Sequence, residues 1–391
     1  MKIVFWIALF IVFYTYIGYG ILLYIIIRLK RLFVGRPHEA VLPADEELPT
    51  MTLMICAYNE EDIVKEKMAN TLALDYPKDK FRIMWVTDGS NDHTNELLAA
   101  YPEVDIVFSP ERRGKTAALK HGLRELKTRY VAFTDANTMI NTGALREIAR
   151  LFSDPTVGCV SGEKRVAARK AGEMASEGEG LYWRYESTLK RWDNELYSAM
   201  GAAGELYAID PQLCREVPDE ALLDDFMLSM YVVQAGKRIA YTSDAYAREY
   251  GSANIYEESK RKRRIAAGGL QSIWWLRSML NPLRQPLVTF QYVSHRVLRW
   301  SITPVAMVLL LIVNIALVAM GADTFYTVML ILQTLFYLMA LAGWLTNRFG
   351  YKNKLLYTAY YFMFMNFNVF RGMAYLRSHG KSGAWEKAKR S

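Results

Sequence analysis

The chain has 391 residues, enough for one large catalytic domain with membrane helices attached. Apolar residues make up 52% of it and mean hydropathy is +0.01, high for a soluble enzyme, with the excess at the two ends. The net charge of +8 suits an anionic membrane surface or a phosphate-bearing ligand. Nucleic acid is disfavoured because no basic–aromatic recognition module is present. The five His lack ligand spacing, which argues against zinc, and the scattered Cys56, Cys159 and Cys214 fit a reducing cytoplasm.

Residues 3–27 carry no charge, and about 20 apolar residues suffice to cross a bilayer, so 1–27 is expected to be a transmembrane helix. The segment is too long for a signal peptide and lacks a small-residue cleavage site. It runs into Arg28, Lys30 and Arg31, which place the chain from residue 28 onward in the cytoplasm by the positive-inside rule. Residues 28–50, with Pro37, Pro43, Pro49 and an acidic run, read as a linker. Strands are then expected at 51–57, 81–87, 104–108 and 129–135. Helices are expected at 61–74, 91–101, 114–126 and 142–152, capped at Asn91 or Asp92 in the second and Thr142 in the last. Such alternation, with continuous apolar strands, predicts an α/β, Rossmann-like domain over 51–255 with both sheet faces covered. No G-x-G-x-x-G follows the first strand, which disfavours a dinucleotide enzyme. A further helix is expected at 224–234. Residues 256–300 read as basic, aromatic interfacial helices and 301–346 as a transmembrane hairpin (302–321 and 324–346). The remainder, 347–391, holds a third apolar stretch at 355–376 and a basic tail. Asn366, Asn368 and Arg371, with Arg377, Lys381, Lys387, Lys389 and Arg390 beyond, favour an interfacial or re-entrant placement over a span.

Polar clusters follow the strands, where ligands of open α/β sheets bind. Tyr58-Asn59-Glu60-Glu61 can bond a base or ribose, although Asn59 would equally serve as a helix cap. Asp88-Gly89-Ser90 joins a carboxylate to a tight turn, and an ordinary turn looks the same. Arg112-Arg113-Gly114-Lys115 opens a helix and makes an anion site, against a solvated charge run as the bland reading. Asp135-Ala136-Asn137 offers two oxygen ligands to Mg²⁺ or Mn²⁺. Gly201 to Tyr207 is a small-residue loop, fit for close approach of a substrate or for tight packing. Asp224 and Asp225 start a helix; adjacent carboxylates raise one another's proton affinity, which suits a general base, and they also suit a helix N-terminus. Lys260 to Gly269 is a basic run entering an amphipathic segment with Trp274 and Trp275.

In this order, AYNE, DGS, RGK, DAN, GAAGELYAI, DD and KRKRRIAAGG resemble the membrane glycosyltransferases of family 2, over about 51–270. Hyaluronan, chitin, cellulose and poly-N-acetylglucosamine synthases are of this kind. The resemblance implies a GT-A fold and an inverting, metal-dependent transfer from a UDP-sugar. By position, Tyr58, Glu60 and Asp88 would hold uracil and ribose, Lys115 would lie near the nucleotide, and Asp135 and Asn137 would bind the metal. Asp225, with Asp224 beside it, would be the catalytic base; Gly201, Gly204 and Glu205 would lie near the acceptor, and Arg264 would contact the diphosphate. Three departures stand out: Asn137 replaces a second metal Asp, Leu223-Asp224-Asp225 replaces T-E-D, and Ile265 stands where a Trp would stack on the acceptor sugar. The expectation is transfer to a lipid-linked or growing cell-surface glycan at the cytoplasmic face of a bacterial-type inner membrane, with membrane lipids as partners and oligomeric state open. The loss of the ring at Ile265 favours non-processive transfer over a processive synthase that extrudes its product. A non-catalytic nucleotide-sugar-binding subunit is the alternative of another class. A transporter is disfavoured for want of intramembrane charged pairs and spans.

Overall fold

The computed structural model describes residues 1–35, 41–167, 174–251, 255–349, 351 and 353–379. Pro37 of the expected linker and the tail residues Lys381, Lys387, Lys389 and Arg390 lie outside them. The α/β part is built on one sheet: β1 (Met51–Ala57), β2 (Phe81–Asp88), β3 (Val104–Ser109), β4 (Tyr130–Asp135), β5 (Met139–Ile140), β6 (Val157–Ala167), β7 (Tyr207–Ile209) and β8 (Arg238–Tyr250). Their order across the sheet is β3-β2-β1-β4-β7-β6-β8-β5. The first four strands are parallel, as the sequence predicts. Beyond them β7 runs antiparallel to both β4 and β6, β6 and β8 are parallel, and β5 is antiparallel to β8. The sheet is therefore mixed, a half that strand–helix alternation does not reveal.

Alternation along β1 feeds two cores. Leu53 and Ile55 face one layer with Val64 and Met68 of α2, and Leu145 and Ile148 of α5; Met54 faces the other with Ala118 and Leu119 of α4. The first helix, α1, is continuous over Lys2–Val34. The helices of the α/β part are α2 (Val64–Leu72), α3 (Thr94–Ala99), α4 (Lys115–Arg124), α5 (Ala144–Leu151), α6 (Met174–Leu196) and α7 (Asp224–Gln234). The α5 cap is Gly143 rather than Thr142, and Asp92 accepts the Thr94 N–H just inside the expected α3 start.

Next come α8 (Ile255–Trp275) and α9, formed of Pro286–Tyr292, the π-helical turn Val293–Val297 and Leu298–Trp300. The last three helices are α10 (Ile302–Ala319), α11 (Thr324–Arg348) and α12 (Lys354–His379). Among the described residues, α1, α10 and α11 are long and apolar enough to cross a membrane. Phe5 and Ala8 of α1 pack on Ala306, Leu310 and Val313 of α10. Farther along, Tyr19, Leu23 and Ile27 of α1 pack on Leu189 and Leu196 of α6. Helix α1 thus continues past residue 27, into what the sequence predicts as linker. There Lys30 Nζ bonds the carbonyls of Glu195 and Leu196 at 2.7 and 2.9 Å, and the Arg31 guanidinium forks onto the Glu195 carboxylate. Those contacts satisfy the free carbonyls that end α6. Helix α12 joins the two layers: Gly343 of α11 lies against the Leu356 backbone, while Gly372 lies against Ala266 and Ala267 of α8.

Candidate active site

The in-register ends of β1, β2 and β4 set one rim: Ala57 pairs with Thr87, and Cys56 with Asp135. Beyond them opens a cavity of about 760 Å³. Tyr58, Glu60, Asp88, Lys115, Asp135 and Asn137 line it from the strand ends, and Asp224, Asp225 and Arg264 line it from α7 and α8. Gly204 and Glu205 do so from the loop before β7. Side chains as far apart in the chain as Tyr58 and Arg264, 206 positions, therefore share one crevice.

Asp88 is buried, and its two carboxylate oxygens accept the N–H groups of Arg113 and Gly114 at 2.9 and 2.6 Å. It thereby holds the loop that delivers Lys115. Gly89 permits this: its φ is 67°, and a Cβ there would stand 2.6 Å from the Arg112 nitrogen. Arg112 in turn lies 3.9 Å over the Tyr58 ring. Asn59 does not cap a helix; its amide is paired with Asn91.

Lys115 donates to Asp135 Oδ1 at 2.7 Å. Burial pulls this amine down, but the charges of Asp135 and Asp224 outweigh it and hold the amine well above its usual value. Under the Asp135–Thr138 turn lies Lys67, fully buried, donating to the Thr138 carbonyl at 2.6 Å and to Thr134 at 3.2 Å. Burial draws Lys67 down to about 7. Sequence reading missed this support, since Lys67 stands between Glu66 and Met68 in a mixed helix and nothing local marks it. Among the described residues no three His, Cys, Asp or Glu side chains are grouped to hold a cation by themselves. The donor set, one carboxylate and the Asn137 amide oxygen, fits a hard cation that takes its other ligands from a diphosphate.

At α7, Asp225 Oδ1 accepts the Phe226 N–H at 2.8 Å, and Gly204 approaches its carboxylate so closely that a Cβ would stand 3.0 Å from Oδ2. Burial first and the adjacent Asp224 second push Asp225 up to about 6. Asp224 Oδ2 is buried without a hydrogen-bond partner among the described residues. The α8 backbone comes close at Gly268, where a Cβ would stand 2.6 Å from Leu223, and one turn earlier Arg264 enters the cavity with its Nε unpartnered.

Two expected acceptor residues have other partners. Gly201 does not line the cavity; its φ is 95° and a Cβ would meet the Phe226 ring at 2.3 Å. The loop is thus small there for packing. Glu205 lines the cavity, but its carboxylate is bonded by Lys164 at 2.5 Å and Arg261 at 3.3 Å, which hold it well below the usual range despite burial. Ile265 lines the cavity, and so do Trp183 of α6 and Trp300 of α9, which supply aromatic surface from other elements. Sequence reading missed both rings, along with Glu186, Lys190, Arg296 and Arg299; for Arg296 and Arg299 the available signal was their place just before an apolar hairpin.

Residues 52–209 match the model of the family Glycosyl transferase family 2, and the chain carries a domain of that family. It is 35% identical over 125 residues to a poly-beta-1,6-N-acetyl-D-glucosamine synthase of Staphylococcus aureus (strain MSSA476), covering 31% of this chain and 30% of that one. It is 25% identical over 259 residues to a beta-monoglucosyldiacylglycerol synthase of Synechocystis sp., covering 62% and 53%. The chain thus spans between about a third and a half of the length of these relatives. Its fold is shared, at a TM-score of 0.68 and 22% identity, with the mannosyltransferase PcManGT from Pyrobaculum calidifontis solved in complex with GDP-Man and Mn²⁺, over 95% of this chain and 98% of that one.

Proposed function

We propose that this protein transfers a sugar from a nucleotide diphospho-sugar, a UDP-sugar by its motifs, to an acceptor hydroxyl with inversion at the anomeric carbon. The convergence of Asp88, Asp135, Asp225 and Arg264 on one cavity carries the reading. Asp225, drawn up toward neutrality, takes the proton as the acceptor oxygen bonds to the anomeric carbon from the face opposite the diphosphate. The bond from that carbon to the diphosphate oxygen breaks at the same time. Arg264 and Lys115 place positive charge where the leaving diphosphate gains negative charge. Asp135 and Asn137 would hold Mg²⁺ or Mn²⁺, which when bound adds neutralising charge at the diphosphate. Tyr58 and Arg112 form a stacked platform for the base.

The relatives are named for a glycan polymer and for a glucosylated diacylglycerol, which supports a glycan or a lipid as the acceptor class. Arg28, Lys30 and Arg31 after the apolar part of α1 support a catalytic domain on the cytoplasmic side of an inner membrane. Trp183 and Trp300 line the same cavity as Ile265 and offer aromatic surface there, which favours a processive synthase as the second reading; product length on a gel separates the two.

The test is release of the nucleoside diphosphate by the full chain in detergent, across UDP- and GDP-sugars, with Mg²⁺ or Mn²⁺ and a lipid extract as acceptor source. Release that depends on one donor and on acceptor supports the proposal. Tight donor binding with no turnover under any condition would replace it by a nucleotide-sugar-binding subunit.

A further inference from the structure

The cavity has a second end, away from the diphosphate groups. Its walls come from α1 and α12: Tyr16 of the first, and Tyr361, Phe362, Met365 and Val369 of the second. Its floor is charged. On α6, the Glu186 carboxylate, 1% exposed, is shared by Arg296 at 2.6 Å, Arg299 at 2.9 Å and His295 at 3.3 Å. Arg296 is completed by a bond from Nε to the Met200 carbonyl at 2.8 Å. Arg299 is less fully completed: it is 6% exposed and lines the cavity, Tyr182 and Tyr185 lie beside its guanidinium, and its Nε and Nη2 find no hydrogen-bond partner of good geometry among the described residues. Lys190, one turn after Glu186 and 3% exposed, lines the same space. Asp193, bonded by Tyr19, Gln291 and His295, is a second buried carboxylate beside this cluster. Arg296, Arg299, Lys190 and His295 thus face two carboxylates, Glu186 and Asp193, in a buried cluster. Unmade guanidinium bonds of this kind are costly, and an anionic ligand removes the cost.

Backbone geometry marks the same place. Helices α1 and α9 each contain one π-helical turn, Tyr14–Gly18 and Val293–Val297. The two turns meet through Tyr14 and Ser294, whose hydroxyls are 2.8 Å apart. One turn presents Tyr16 to the cavity and the other presents Arg296. Such turns are rare and concentrate at functional sites. The donor end has its own cations, Lys115 and Arg264, set among Asp135, Asp224 and Asp225. The cluster at Arg299 is therefore not needed for the donor diphosphate.

We propose that this membrane-side end binds the acceptor as an amphiphile with an anionic head: a sugar joined to a lipid through phosphate, the phosphate pairing with Arg299 and Lys190 and the lipid lying between α1 and α12. This rests on the transferase reading, and it names the acceptor class. The apolar walls above buried cations commit it to a lipid-borne phosphate rather than a neutral glycolipid or a free glycan.

Binding to the full chain in detergent tests it without requiring turnover. The probes are a short polyprenyl phosphate, the matching polyprenol, phosphatidylglycerol and inorganic phosphate, read by quenching of tryptophan fluorescence and by native mass spectrometry. The wild-type protein should bind polyprenyl phosphate at least about tenfold more tightly than polyprenol, a span set by charge-assisted hydrogen bonds. Arg299→Gln should lose that preference, Arg299→Lys should recover part of it, and UDP affinity should not change in either. Equal binding of polyprenol, equal competition by phosphatidylglycerol, or equal binding of inorganic phosphate alone would overturn the proposal. So would an unaltered preference in a folded Arg299→Gln protein. The lipid series on the wild type decides the matter even where that variant does not fold. Turnover with neutral acceptors only would sink this inference and leave the transferase reading standing, whereas absence of donor turnover with every acceptor would sink the latter.

Discussion

At the donor end, Tyr58 follows β1 while Asp88 and Asp135 end β2 and β4, and parallel register aligns them. At the membrane end nothing is local: Tyr14 meets Ser294, Tyr16 bonds Asn366 at 2.5 Å, and Glu186 on α6 gathers Arg296 and Arg299 from α9. The first end is written into strand-terminal motifs a few residues long. The second exists only when α1, α6, α9 and α12 are packed together. Chemistry fixed by a sheet edge leaves short signatures, whereas a site between helices leaves single polar residues in apolar surroundings. Variants at the two ends should therefore fail differently.

The largest effect is expected at the point where the ends meet. Asp225→Asn keeps the shape of the side chain and removes the proton acceptor, so the turnover number should fall by about 10² to 10⁴. Donor affinity should change little, since Asp225 is not bonded to the Lys115 and Asp135 pair. Full transfer by this variant, measured with radiolabelled donor, would remove the base assignment.

Glu186→Ala should show the membrane end to be a structural cluster as well as a binding one. It strands two buried guanidinium groups and His295, a loss of about 3–5 kcal/mol. Thermal unfolding in detergent reads it, and an unchanged midpoint would mean that these cations do not depend on Glu186.

Gly201→Ala probes a residue whose sequence neighbours suggest contact with the acceptor and whose coordinates show packing on Phe226. A Cβ at φ 95° and 2.3 Å from the ring should cost about 1–3 kcal/mol of stability, with acceptor KM unchanged. A raised KM in a protein of normal stability would return Gly201 to the acceptor site.

The same contrast explains what could be read before the fold was known. The strands β1, β2 and β4, helix α7 from Asp224 to Gln234 and the residues bordering the donor were legible, because apolar runs ending in polar turns have one plausible geometry. The strands β6, β7 and β8 were not. The central one has three residues, too few for a period, and Arg238–Tyr250 carries Asp244, Arg248 and Glu249 within its run. Ile265 was legible as a missing ring, but Trp300, which reaches the cavity from 35 residues later, was not, since nothing local joins α9 to α8. Gly269 records that contact only in three dimensions: a Cβ there would stand 2.5 Å from the Trp300 ring.

The smallest effect is one of pH, and it falls on the donor side of the base. With Asp225 near 6 rather than its ordinary 3.8, activity should be full above that value and drop about tenfold for each unit below it, as the carboxylate takes up a proton. The effect on stability has the opposite sign. A carboxylate whose proton is held more tightly in the fold stabilises it at pH below 3.8 and loses that contribution as pH rises through 6. A profile of kcat/KM between pH 4.5 and 8 reads the first and unfolding midpoints over the same range read the second. Replacing Asp224 by Asn should move the activity limb to lower pH, because the adjacent negative charge, the second cause of the shift after burial, is then gone while burial and the charge of Glu205 remain. A limb that stays in place would assign the displacement to burial and Glu205.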